Sequence, residues 1–202
     1  MSHPVIGVLA LQGAFKKHIE MLQSINVEGI EVRHPEDLLA CNALIIPGGE
    51  STVISRQLKF GQFEEAFKKF LKEKPVFGTC AGLILMSKEV LDSKVTPFGL
   101  IDIQVERNAF GRQTESFKID LELALGKEKI KAYPGIFIRA PRIRKCESSV
   151  NILANYENEP VLVQQGNYLA ATFHPELTDD PSVHRFFYNL VKHSLLNRSQ
   201  QK

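Results

Sequence analysis

The sequence of 202 residues contains only three cysteines, Cys41, Cys80 and Cys146, which lie far apart and have no C-x-x-C spacing. This argues against a disulfide framework or a zinc site and fits a reducing compartment. No segment is densely basic and the formal net charge is only +2, so nucleic-acid binding is not indicated. No grouping of ligand residues predicts a metal site.

Long apolar segments are also missing. The apolar run at residues 5–11 is too short to span a membrane, and neither a basic segment before it nor a small-residue cleavage site after it marks a signal peptide. We therefore expect a cytoplasmic protein with no membrane association. A hydrophobic fraction of 44% in a chain of this length predicts one globular domain, at residues 1–196, with a polar, frayed tail at residues 197–202.

Strands and helices are predicted to alternate in the first half of the chain. Apolar runs predict buried strands at residues 5–11, 27–32, 43–46 and 76–77. Helices are predicted between them at residues 14–24, 35–40, 50–58 and 61–72. This alternation favours right-handed parallel crossovers, and hence an α/β fold in the form of a three-layer α/β/α sandwich.

The second half has a different pattern. Short strand-like segments at residues 101–106, 117–121, 135–139, 151–156, 159–164 and 167–172 are separated by turns. Because no linker precedes them, we interpret them as strands added to an edge of the sheet. Residues 182–195 predict a closing amphipathic helix.

The segment G-T-C-A-G at residues 78–82 joins a predicted strand to a predicted helix. This is the pattern of a nucleophile elbow, with Cys80 as the reactive side chain. The glycines tolerate a strained turn and a close approach of strand and helix. At a helix N-terminus, backbone N–H groups favour a thiolate over a thiol. The alternative is that Cys80 is a small buried hydrophobe, as isolated cysteines usually are.

A second candidate site is the segment F-H-P-E at residues 173–176, where a strand must end because proline cannot continue its ladder. In an extended segment, His174 and Glu176 point to the same side. A carboxylate fixes the tautomer of an imidazole, and the imidazole can take the proton of a thiol. Cys80, His174 and Glu176 thus form a candidate nucleophile, base and orienting group; the alternative is a surface turn.

The other five histidines lack a paired carboxylate of this kind. They are His3, His18, His34, His184 and His193. His18 falls on the first predicted helix, and His184 and His193 on the last. For these three we expect a solvated or helix-capping role.

Three polar, glycine-containing turns follow predicted strands, at residues 12–13, 47–50 and 78–80. Because ligands of doubly wound sheets bind beyond the carboxyl ends of the strands, these turns should converge on one rim. An acyl transfer by Cys80 also needs donors for an oxyanion. The N–H of Ala81 and the backbone of Gly48 and Gly49 are the candidates, and Gln12 is expected on the same rim.

At this point the motifs resemble a known family. G-T-C-A-G with a downstream H-P-E resembles the class I glutamine amidotransferases. Together with A-L-Q-G-A-F, P-G-G-E-S-T, V-E-R-N-A-F-G-R-Q and H-P-E-L-T-D-D, it closely resembles the glutaminase subunits of pyridoxal 5'-phosphate synthases. The resemblance implies a flavodoxin-like fold and the roles given above to Cys80, His174 and Glu176. It also implies that glutamine is held by Gly48, Gly49, Glu50, Arg107, Ile138 and Arg139.

The resemblance further implies a reaction and a partner. L-glutamine would be hydrolysed to glutamate and ammonia through a γ-glutamyl thioester on Cys80. The ammonia would pass to a separate synthase subunit of a hetero-oligomeric complex, which joins it to a pentose phosphate and a triose phosphate. Pyridoxal phosphate would be the product of that complex, so we expect no cofactor in this chain. Two alternatives remain open: another cysteine hydrolase or amidotransferase of this fold, and a catalytically silent interaction module.

Overall fold

The computed structural model describes residues 3–59, 63–91, 95–107 and 116–200. Its first half alternates strands and helices, as predicted. The strands are β1 (Ile6–Leu9), β2 (Gly29–Val32), β3 (Ala43–Ile46) and β4 (Val76–Thr79). The helices are α1 (Phe15–Ser24), α2 (Ser51–Leu58), α3 (Phe63–Glu73) and α4 (Ala81–Met86), with a 3₁₀ helix at Pro35–Ala40. Residue 61, where the helix before β4 was predicted to begin, lies outside the described residues.

The second half contains more strands than the sequence predicted. The strands of this half are β5 (Ser87–Leu91), β6 (Ile101–Glu106), β7 (Ser116–Leu125), β8 (Glu128–Ile138), β9 (Arg142–Cys146), β10 (Asn151–Tyr156), β11 (Glu159–Gln165) and β12 (Tyr168–Ala171). A 3₁₀ turn at Pro175–Leu177 and helix α5 (Ser182–Gln200) follow. Helix α5 includes residues 197–200, which the sequence placed in a polar tail.

The central sheet has seven strands in the order β10-β11-β12-β4-β3-β1-β2. The five strands from β12 to β2 are parallel, whereas β11 and β10 are antiparallel additions at one edge. The prediction of added edge strands is therefore confirmed for β10 and β11. It is wrong for β12, which lies inside the sheet between β11 and β4 and is parallel to β4. It is also wrong for β6, β7 and β8, because β6 lies in a separate sheet with β5 and β9 and, in the described part of the chain, β7 pairs only with β8.

Two layers cover the central sheet, and β3 shows how. Ala43 and Ile45 pack on one face, with residues of α1, α5 and the β7–β8 hairpin. Leu44 and Ile46 pack on the other face, with residues of α2, α3, α4 and the separate sheet of β5, β6 and β9. Alternate side chains of a strand point to opposite faces, so a continuously apolar strand is buried between two layers. The predicted α/β/α sandwich is confirmed.

The carboxyl ends of β1, β3, β4 and β12 lie at the same edge of the sheet, because these strands are parallel. Helix α4 packs very closely there: a Cβ on Gly82 would lie 2.0 Å from the carbonyl oxygen of Ile46 at the end of β3. This close packing fixes the position of the β4–α4 turn relative to the loop at residues 47–50, which follows β3. Among the described residues, no helix has the length and apolar character needed to cross a membrane.

Candidate active site

Cys80 occupies the turn between β4 and α4 with a strained backbone. Its φ is 48° and its ψ is −101°, in a region that L-residues rarely adopt. The Cys80 N–H donates to the carbonyl oxygen of Ala171 at 2.9 Å, which ties the turn to the neighbouring strand β12. Cys80 is 8% exposed, and its Sγ lies 4.0 Å from the carbonyl oxygen of Ile138. The thiol is thus held at the carboxyl edge of the sheet with little freedom.

His174 follows β12 and lies beside the turn that carries Cys80. Its Nδ1 is 2.7 Å from Oε1 of Glu176, which is almost fully buried. The N–H of His174 donates to the carbonyl oxygen of Ile136 at 2.8 Å, so strand β8 holds this segment against the site. Because Nδ1 faces Glu176, Nε2 is the ring nitrogen left for the thiol.

The protonation of this group follows from its surroundings. Burial alone would lower the pKa of His174, but hydrogen bonds to Cys80 and Glu176 outweigh it and raise that pKa to about 10. Burial would raise the pKa of Glu176, but His18 and His174 outweigh it and lower that pKa to about 2. At neutral pH the imidazole therefore holds a proton between an ionised carboxylate and the sulfur. Such an arrangement can supply a thiolate nucleophile and a proton for a leaving group.

Gly48 is required by the position of the imidazole. A Cβ on Gly48 would lie 2.4 Å from Cε1 of His174 and 3.4 Å from Cβ of Cys80. Any larger residue would push the ring away from the sulfur.

A cavity of about 580 Å³ opens above the thiol. The residues lining it that the sequence had singled out are Gln12, Gly48, Gly49, Glu50, Cys80, Arg107, Ile138, Arg139 and His174. Glu176 lies outside the lining and reaches the cavity only through His174. Ala81 is also outside the lining, but it is the first residue of α4, so its N–H has no acceptor within the helix.

The peptide unit between Gly48 and Gly49 has a defined orientation. The carbonyl oxygen of Gly48 accepts the Ala14 N–H at 3.4 Å and therefore points to the loop after β1. In a trans peptide the N–H points the opposite way, so the Gly49 N–H faces away from that loop. Because β3 lies between β1 and β4, this direction is the side of Cys80. Gln12 contacts the same loop, since its Oε1 accepts the Glu50 N–H at 3.3 Å.

Two opposite charges face each other at the mouth of the cavity. Nη2 of Arg107 lies 3.1 Å from Oε1 of Glu50, and their side chains are 20% and 45% exposed. Burial opposes ionisation of Glu50, but hydrogen bonds from Thr52 and the charge of Arg107 lower its pKa. Arg139 adopts a φ of 43°, at the end of β8. Residues 108–113 of the V-E-R-N-A-F-G-R-Q motif lie outside the described residues.

His18 and His184 lie beside the site although they were not predicted to belong to it, and Thr79, in the turn at residues 78–80, had been given no role there. The expectation that His18 and His184 are solvated or cap their helices is wrong, because both are completely buried. Nε2 of His18 lies 3.5 Å from Oε2 of Glu176, and Thr79 Oγ1 accepts the Gly48 N–H at 3.0 Å. His18 and His184 are 166 positions apart, so no local pattern joins them. Only their places on the sheet-facing sides of their amphipathic helices could have indicated burial.

The chain is similar to several known proteins. Residues 8–193 match the SNO glutamine amidotransferase family. The pyridoxal 5'-phosphate synthase subunit PdxT of Thermotoga neapolitana is 49% identical over 189 residues, covering 93% of this chain and 99% of that protein. The protein of that name from Pelotomaculum thermopropionicum is 50% identical over 184 residues, covering 90% and 92%. A crystal structure described as a glutamine amidotransferase has a TM-score of 0.86 and 45% identity, covering 93% of this chain and 98% of its own.

The three thiols should differ sharply in reactivity. Burial raises the pKa of Cys41 to about 11 and also raises that of Cys146, whereas Cys80 faces the protonated His174. With limiting iodoacetamide at neutral pH, we expect Cys80 to be alkylated at least about tenfold faster than the other two. Peptide mass spectrometry measures the three rates, and a His174→Asn variant should slow only that of Cys80. Preferential labelling of Cys41 or Cys146 would contradict this arrangement.

Proposed function

Because the chain belongs to the SNO glutamine amidotransferase family, we propose that it is the glutaminase subunit of a pyridoxal 5'-phosphate synthase. It hydrolyses L-glutamine to L-glutamate and ammonia and supplies the ammonia to a synthase subunit for vitamin B6 biosynthesis. The relatives named as this subunit match nearly the full length of the chain. The observation that carries the proposal is the thiol of Cys80 beside His174 and Glu176 at the base of one cavity.

Cys80 is the proposed nucleophile. Its thiolate attacks the side-chain carbonyl carbon of glutamine and forms a tetrahedral intermediate. His174 gives its proton to the departing nitrogen, so that ammonia leaves and a γ-glutamyl thioester remains. His174 then takes a proton from water, which attacks the thioester and releases glutamate. Glu176 keeps Nε2 of His174 directed at the sulfur and stabilises the imidazolium.

The proposed oxyanion donors are two backbone N–H groups. The Ala81 N–H adjoins the nucleophile, and the Gly49 N–H points to the same side. Donors held in place before reaction stabilise the charge that develops on the carbonyl oxygen. Gln12, through its bond to the Glu50 N–H, limits movement of the loop that carries the second donor.

Glutamine recognition is assigned to the charged pair at the cavity mouth. A substrate with an α-carboxylate and an α-ammonium group can be bound by Arg107 through the first and by Glu50 through the second. The carbonyl groups of Ile138 and Arg139 are further acceptors for the ammonium. An exposed ion pair contributes only about 0–1 kcal/mol, so separating Arg107 from Glu50 to admit the substrate costs little.

We place the protein in the cytoplasm, where its three free thiols would remain reduced. Pyridoxal phosphate is the product of the proposed complex, so its binding is not required of this chain. The synthase subunit is the proposed partner and also the proposed activator. Ammonia released into water is largely protonated and lost to synthesis, which favours hydrolysis only in the complex.

The function is tested by ammonia release from glutamine by the chain alone, with a synthase subunit, and with that subunit plus Gln12→Ala or Cys80→Ala. The synthase should raise the rate by about 100- to 1,000-fold, the range expected for one oxyanion donor, because its docking would hold the Gly49 N–H in the productive orientation described above. Gln12→Ala should lose much of that gain, and Cys80→Ala should release no ammonia. Hydrolysis by Cys80→Ala would contradict the mechanism. Equal rates with and without the synthase would remove the activation, and an unimpaired Gln12→Ala would remove Gln12 from it.

Arg107 is expected to act in binding rather than in the chemical steps. Arg107→Ala should raise the KM for glutamine by about 10- to 100-fold, the loss expected for one charge-assisted hydrogen bond, with kcat little changed. Steady-state kinetics in the presence of the synthase separates the two constants. Arg56→Ala provides a control, because Arg56 is an exposed arginine on α2 that does not line the cavity. A fall in kcat at unchanged KM would show that Arg107 has a different role.

A further inference from the structure

Two histidines outside the cavity form a buried pair behind the site. His18 on α1 and His184 on α5 are completely buried, and Nδ1 of the first lies 2.9 Å from Nε2 of the second. Both rings lie edge-on to Phe77 of β4, with centroid distances of 6.2 and 5.7 Å. Polar rings in an apolar core are costly unless their nitrogens are hydrogen-bonded. An apolar pair of the same shape would fill this space at lower cost.

One nitrogen of the pair, Nε2 of His18, lies close to two parts of the site. Nε2 of His18 lies 3.5 Å from Oε2 of Glu176 and 3.3 Å from Oγ1 of Thr79. Glu176 therefore has an imidazole at each carboxylate oxygen, His174 at Oε1 and His18 at Oε2. Thr79 in turn accepts the N–H of Gly48, so the same ring also adjoins the proposed oxyanion loop.

Burial keeps both rings of the pair neutral. It lowers the pKa of His18, although Glu176 opposes this, and it lowers the pKa of His184 to about 3. A neutral imidazole carries one N–H and one acceptor nitrogen. One proton therefore lies in the 2.9 Å contact between Nδ1 of His18 and Nε2 of His184. If His184 carries it, Nε2 of His18 has its own proton and is a donor; if His18 carries it, Nε2 of His18 is an acceptor.

Only one of the two proton arrangements suits the surroundings. If Nδ1 of His18 carried the proton, a lone pair of Nε2 would face the carboxylate. Nδ1 of His184 would then be a buried N–H, although it has no hydrogen-bond partner among the described residues. If His184 donates from Nε2 instead, His18 presents Nε2–H to Glu176, and His184 is left with an unpaired acceptor. The second arrangement is favoured because a buried unpaired donor is more costly than an unpaired acceptor.

We propose that His18 is a positioning residue that donates Nε2–H to Oε2 of Glu176, and that His184 fixes the tautomer that makes this possible. Oε2 has no hydrogen-bond partner among the described residues, and Nε2 of His18 lies 3.5 Å from it, so His18 is the donor available to it. Held at both oxygens, the carboxylate cannot rotate, and its Oε1 stays directed at His174. The expected effect on glutamine hydrolysis rests on the proposed function, whereas the expected effect on the orientation of His174 does not.

The test compares His18→Phe, which keeps the ring but removes both nitrogens, with His18→Gln, which retains an N–H donor. In the presence of the synthase, His18→Phe should lower kcat by about 10- to 100-fold, the loss expected from a misplaced catalytic group. KM for glutamine should not change, because His18 does not line the cavity. His18→Gln should recover part of the rate. If His18 only fills the core, His18→Phe should keep full activity, and that result would overturn the proposal.

Two further variants test the pair as a unit. His184→Phe should lower kcat less than His18→Phe, because the donor remains while its tautomer is no longer fixed. The double variant should be no slower than His18→Phe alone, since residues that act through one another are not additive. Multiplied effects would show that the two histidines act separately and would overturn the role given to His184. His193→Phe, at an exposed position on α5, is the matched control.

A readout independent of glutamine separates this inference from the proposed function. The rate at which iodoacetamide alkylates Cys80 should fall in His18→Phe and partly recover in His18→Gln, because a displaced His174 stabilises the thiolate less. If the unmodified protein fails to hydrolyse glutamine with the synthase but this pattern holds, the proposed function fails and the inference stands. Unchanged alkylation in His18→Phe, with the protein folded by circular dichroism, would overturn the inference alone.

Discussion

The site depends on one short contact, the 2.7 Å hydrogen bond between Nδ1 of His174 and Oε1 of the buried Glu176. A buried carboxylate remains ionised only when polar groups surround it, and here an imidazole lies at each of its oxygens. The negative charge in turn keeps a proton on His174, beside the sulfur of Cys80. Removing Glu176 or Cys80 changes the protonation of His174, so these three side chains cannot be understood separately.

The parallel sheet is what brings these groups together. Cys80, His174, Gly48 and Gln12 are far apart in the sequence, but each follows a parallel strand of the central sheet. The β7–β8 hairpin packs against the site beside His174, through the hydrogen bond from the His174 N–H to the carbonyl oxygen of Ile136. Close packing of Gly82 against β3 then sets the distance between the thiol and the neighbouring loop. The sheet edge therefore sets the relative positions of Cys80, His174 and Gly48.

The sequence predicted those features that depend on short-range patterns. The elbow, the His-x-Glu spacing and the continuously apolar strands are local, and the resemblance to a family added the residues of the cavity. The small sheet of β5, β6 and β9 was missed, because a strand with one buried face does not reveal whether it extends a sheet or covers one. His18 was misjudged for a related reason: a histidine on an amphipathic helix looks like a solvated residue until its partners, Glu176 and His184, are brought to it by the tertiary fold.

The central claim is that His174 holds a proton between Glu176 and Cys80 at neutral pH. It is tested most directly by a pH titration of the ¹⁵N resonances of labelled histidines, with His174 assigned by comparison with His174→Asn. The account predicts that the imidazolium of His174 persists until the pH approaches about 10. It also predicts that Cys80→Ala shifts this titration to lower pH, because the hydrogen bond to the sulfur, which raises the pKa of His174, is lost. Titration of His174 near about 6.5 in the unmodified protein, as for a histidine without partners, would contradict it.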